Sequence, residues 1–99
     1  MIVRVHMLAF HEPGKIRLVH VPNAPNANDY SNRDELLEAV FHYGQNDVQP
    51  INECCSVSVG DVIELFLGNH VAFYRVTREG FEMVRPTAFE ATTRVQEAA

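Results

Sequence analysis

Long apolar runs are missing from this chain of 99 residues. None approaches the ~18 residues that a membrane-spanning helix needs. The apolar start is interrupted by Arg4 and His6, so no signal peptide is read there. The expectation is a cytoplasmic protein with no membrane contact. Cysteine is scarce: there are two, and they are neighbours, Cys54 and Cys55. A disulfide between adjacent cysteines strains the intervening peptide, so two free thiols are expected, behaving as small apolar side chains. The five glycines stand singly, which leaves no glycine-rich phosphate loop. Basic residues are outnumbered 8 to 13, for a net charge of −5. That balance works against nonspecific nucleic-acid binding, which rests on neutralised phosphates. It does not exclude a local patch, since Arg75, Arg78 and Arg85 lie close in sequence, and it is too weak to make a DNA mimic. No internal repeat and no low-complexity tract occurs.

What is present suits one domain. A chain of this length buries roughly 65% of its unfolded surface, enough for a core without disulfides or metal. Ile2 to Phe10 alternates, with Val3, Val5, Met7 and Ala9 on one face and Arg4 and His6 on the other, which predicts a strand. His11-Glu12-Pro13-Gly14 has turn composition. Lys15 to Val21 follows as a second strand, so the two form an antiparallel hairpin. Pro22 to Tyr30 is loop. Ser31 then opens a helix: Ser31 with Asp34, or Asn32 with Glu35, has capping spacing, and Leu36, Leu37, Val40 and Phe41 recur at helical intervals. Gly44 suits the left-handed residue that ends a helix. After a polar loop from Gln45 to Glu53, a third strand is expected to start at Cys54, to break at Gly60-Asp61 and to resume from Val62 to Leu67. Gly68-Asn69 marks a hairpin turn. Val71 to Val76 and Phe81 to Val84 complete a three-stranded meander. The prediction is an α+β fold of order ββαβββ, a small mainly antiparallel sheet with the helix packed on one face. Residues 1–85 form the single domain, and 86–99 form a tail.

Reactive constellations are hard to find. The five histidines have neither the i, i+4 spacing of a helical zinc site nor a His-x-His pair. His6 and His20 could approach across the hairpin, with Cys54 or Cys55 completing a metal or thiol site; polar residues on a solvated sheet face explain them as well. Ser56 and Ser58 sit in an alternating stretch, with no sharp nucleophile turn around them. Asp34/Glu35 and Glu79/Glu82 fit capping and solvation. Gly60 permits an unusual backbone angle and Asp61 can hold a turn, so that pair reads as architecture. Phe73, Tyr74, Arg75, Arg78 and Phe81 are the one cluster with the makings of a nucleic-acid platform. Tyr74, Arg75 and Arg78 are the candidate contacts there, against the alternative that the aromatics point inward.

The order of motifs carries a resemblance. Leu37-Glu38-Ala39-Val40-Phe41 with Tyr43 and Asn46 precedes Ser56-Val57-Ser58-Val59-Gly60-Asp61-Val62-Ile63-Glu64-Leu65. Tyr74-Arg75-Val76 and Gly80-Phe81-Glu82-Met83-Val84 follow. Over about residues 36–84 the chain resembles the YodL-like family of small proteins from phages, plasmids and conjugative elements. The last turn departs from the family pattern, which often has Ser where Thr77 or Arg78 stands. The resemblance implies a small accessory protein of a mobile element. It brings no catalytic residues and no cofactor, and marks Ser56, Ser58, Gly60, Asp61, Gly80 and Phe81 as structural. The expected function is a non-enzymatic interaction module with a protein partner, able to pair with a second copy through an edge strand. The alternatives are a nucleic-acid-binding accessory protein and a small metal- or thiol-dependent enzyme.

Overall fold

The computed structural model describes residues 1–11, 14–22, 33–68 and 70–86. Strands β1 (Ile2–Met7) and β2 (Lys15–His20) precede helix α1 (Arg33–Tyr43), and β3 (Val62–Leu67), β4 (His70–Val76) and β5 (Phe81–Val84) follow. All five strands join one sheet in the order β2-β1-β3-β4-β5, and every pairing is antiparallel. The fold is α+β, as expected. Glu12 and Pro13, residues 23–32, Asn69 and residues 87–99, on which the expected first turn, loop, capping residues, hairpin turn and tail fall in whole or in part, lie outside the described residues.

The strand alternation selects the inner face. Val3, Val5 and Met7 of β1 share it with Val19 of β2, with Ile63, Leu65 and Leu67 of β3, and with Tyr74 and Val76 of β4. Leu36, Leu37 and Val40 of α1 join these residues in one buried cluster. The helical stripe therefore meets the period-two face of the sheet. Burying one such aliphatic side chain contributes about 1.5–3 kcal/mol.

Two boundaries differ from the sequence reading by more than one residue, and one glycine takes another role. β1 ends at Met7, short of Phe10, because the main-chain N–H groups of Leu8 and Ala9 turn to the Asp61 carboxylate, each 2.9 Å from Oδ1. β3 begins at Val62, eight residues after Cys54. Alternation over residues 54–59 does not make a strand there, because those residues are held by side chains: Ser58 Oγ donates to the Ser56 carbonyl, and the Ser58 N–H donates to Asp61 Oδ2. Gly44 follows the helix but is not among the glycines with positive φ. Its lack of a side chain serves packing instead, since a Cβ there would collide with Val57 Cγ2.

Candidate functional site

The Gly60–Asp61 corner is closed by its own bonds. The Asp61 N–H reaches the Ser58 carbonyl at 3.0 Å, and Gly60 sits at φ +101°, a region that glycine enters without penalty. Asp61 is 1% exposed. Its two carboxylate oxygens accept from three N–H groups, those of Leu8, Ala9 and Ser58. The main chain of Gly60 and Asp61 also pairs with Val76, through Gly60 N–H to Val76 O and Val76 N–H to Asp61 O. The carboxylate thus ties the end of β1 to the approach to β3 and is engaged on every side. Ser56 holds the neighbouring loop, accepting the Asn46 N–H at 2.8 Å. Phe81 packs against the core, and Gly80 closes the β4–β5 turn by bonding Thr77.

The nucleic-acid candidates do not share a surface. Tyr74 is 6% exposed on the inner face, and its hydroxyl lies 3.2 Å from Arg33 Nη1. It is core and presents no contact surface. Arg75, its neighbour along β4, points to the opposite face by the strand alternation, and Arg78 is exposed in the turn beyond. His6 and His20 share a face but are displaced along the hairpin, pairing with Ile16 and Ile2 respectively. His6 is buried, with Nε2 2.9 Å from Glu64 Oε1, whereas His20 is exposed. Among the described residues no group of three His, Cys, Asp or Glu side chains is placed to hold a metal ion. Cys54 and Cys55 are both free thiols, half-buried and exposed respectively. Burial raises the Cys54 pKa above its ordinary value, against smaller opposing effects of Lys15 and Arg17.

A site absent from the sequence reading lies along β2, an outer strand of the sheet. Arg17 sits at an inward register position and is 1% exposed. Its guanidinium reaches into the chain between Gln45 and Ser56. Nη1 donates to Asn46 Oδ1 at 2.8 Å and to the Cys55 carbonyl at 2.9 Å, and Nη2 donates to the Gln49 carbonyl at 2.6 Å. Asn46 completes the hub: its side-chain amide donates to Cys54 O, and its Oδ1 also accepts the Ile51 N–H. Burial lowers the Arg17 pKa from its usual very high value. Charge-assisted bonds to main-chain carbonyls offset the desolvation of that cation.

This anchoring makes residues 49–53 run beside β2 in the opposite direction. Two bridges join them. At one end the Gln49 side chain bonds both main-chain groups of His20, as a neighbouring strand would. At the other, Lys15 Nζ donates to the Glu53 carbonyl at 2.8 Å. Because His20 turns its N–H and C=O outward, antiparallel geometry turns those of Leu18 and Ile16 outward too. These four groups have no partner among the described residues. They face a groove of about 880 Å³ walled on the far side by Pro50, Ile51 and Cys54. Leu18 is 50% exposed at its rim. The one signal for this site in the sequence is a charged residue, Arg17, on the inward register of a strand. No helix among the described residues is long and apolar enough to cross a membrane.

No family model, curated protein or solved structure matches this chain.

Proposed function

We propose that the chain is a non-enzymatic interaction module that engages a protein partner through the outer edge of β2. One observation carries this reading: two consecutive outward positions, Ile16 and Leu18, present main-chain donors and acceptors to an open groove while the positions beside them are bridged. Unpaired strand edges recruit further strands, and small proteins ordinarily cover or charge them. Here only the ends are covered. The acidic groups best placed for chemistry are tied into the scaffold, Asp61 by three N–H groups and Glu64 by His6 and Arg4. The resemblance to YodL-like accessory proteins supports the same reading and adds a mobile-element setting.

The test is affinity capture from the native host with two baits, the wild-type chain and Leu18→Pro. The Leu18 N–H points away from β1, so proline removes an outward donor and no bond of the sheet. Partners retained by the first bait and lost by the second are expected, with both baits giving the same circular dichroism spectrum. Equal retention, or none on either, overturns the reading.

A further inference from the structure

We infer that the β2 groove takes one extended, apolar peptide segment of a partner protein, as an added strand held between β2 and residues 49–53. The inference rests on the edge reading above and names its occupant. Three features select a single extended chain over a folded surface or a second copy of the sheet. First, the edge is recessed: residues 49–53 stand alongside it, bridged to it at His20 and at Lys15. A whole strand edge of another domain would have to displace that wall, whereas a lone segment slips inside it. Second, the hydrogen-bonding offer has the period of a strand. Ile16 and Leu18 are two residues apart, and each turns out one N–H and one C=O, which an extended backbone meets at every second residue. Third, the groove volume of about 880 Å³ falls within the range of clefts that enclose small ligands, about 300–1,000 Å³.

The lining gives the guest its chemistry. Side chains of an added strand alternate between the two faces of the sheet. On one face they lie beside Ile16 and Leu18, and on the other beside Arg17, whose guanidinium is already bonded within the chain. Ile16, Leu18, Pro50 and Ile51 give the middle of the groove its apolar lining, so the middle of the guest is apolar as well. The charged and polar groups, Lys15 with Glu53 and His20 with Gln49, stand at the two ends. They limit the paired stretch to the rows between them. The affinity comes from main-chain bonds and the selectivity from the few side chains that fit between the bridges.

The probe is a library of random twelve-residue peptides displayed on phage, selected on the full chain with Leu18→Pro as the counter-target. The expected outcome is enrichment of segments with an apolar centre. A synthesised winner binds wild type at least tenfold more tightly than Leu18→Pro. The same peptide methylated on alternate central amides loses binding to the unaltered protein to a similar degree, a result that does not depend on how Leu18→Pro folds. Amide exchange at Ile16 and Leu18 slows in the complex. The inference is overturned if no peptide enriches over the counter-target, or if amide methylation leaves affinity unchanged for both alternate sets. Capture of host partners that is lost in Leu18→Pro, together with failure of every peptide, removes the peptide occupant and keeps the edge. Failure of both removes the edge as well.

Discussion

The corner at Asp61 and the loop anchor at Arg17 are each built around a charge that is 1% exposed, and each gathers main-chain groups from distant parts of the chain. They do so with opposite polarity and different reach. Asp61 accepts N–H groups from Leu8, Ala9 and Ser58, so it joins parts of the sheet to one another. Arg17 donates to the carbonyls of Gln49 and Cys55 and to Asn46, so it joins the sheet to a segment without regular structure. The first charge closes a corner. The second holds a wall at a set distance from an edge and leaves space between. A buried charge in this molecule can therefore fix the sheet itself or shape a site beside it, and the groups it bonds decide which.

Removing each charge should separate these roles. Asp61→Ala leaves three N–H groups without their acceptor. Each lost charge-assisted bond costs about 1.5–3 kcal/mol, and with partial relaxation a total loss of about 4 kcal/mol is expected in urea unfolding, as one cooperative transition. Arg17→Met keeps much of the side-chain volume and strands two carbonyls near water. A loss of about 2 kcal/mol is expected, and amide protection should fall over residues 46–56 while that of β3 and β4 stays. A uniform fall across the sheet would erase the contrast between the two charges. Asn46→Ala removes the side-chain part of the loop hub and should cost about 1 kcal/mol, with the same local pattern in hydrogen exchange. The smallest effect is chemical. With its pKa raised by burial, Cys54 holds little thiolate at neutral pH, and the thiolate is the reacting form. Alkylation followed by mass spectrometry should find exposed Cys55 modified first and Cys54 only after the loop is loosened by Arg17→Met. Equal rates in the wild-type chain would mean that the wall of the groove is open.

Much of the fold was legible because it rests on local periodicity. Val3, Val5 and Met7 alternate, Leu36, Leu37 and Val40 recur at helical spacing, and these signals meet in one core. Gly60-Asp61 was legible as a corner because both residue types act on their own neighbourhood. The third strand was misjudged at its start because Ser56 to Val59 alternates like a strand, while its bonds go to Asn46 and Asp61. Gly44 stands where a helix-ending glycine would, but its role is the close approach of Val57. The groove had a single trace in the sequence, Arg17 on the inward register of β2. It depends on Arg17 meeting carbonyls 32 and 38 residues away in sequence, and main-chain acceptors leave no trace in side-chain pattern. Tyr74 read two ways, and burial decided for the core.

The narrow join between the amino-terminal hairpin and the meander has a kinetic consequence. β1 meets β3 through three aligned pairs, Arg4–Glu64, Val5–Ile63 and His6–Val62, and His6 and Glu64 are 58 positions apart. Each half can zip up through a short turn, but the seam must wait for a long stretch of chain to close on itself, an entropic toll that grows with separation. Assembly should run from two quick local units to one slow docking event, so truncating Val5 to alanine should slow refolding. A refolding rate left unchanged, with only unfolding speeded, would place the seam after the summit instead.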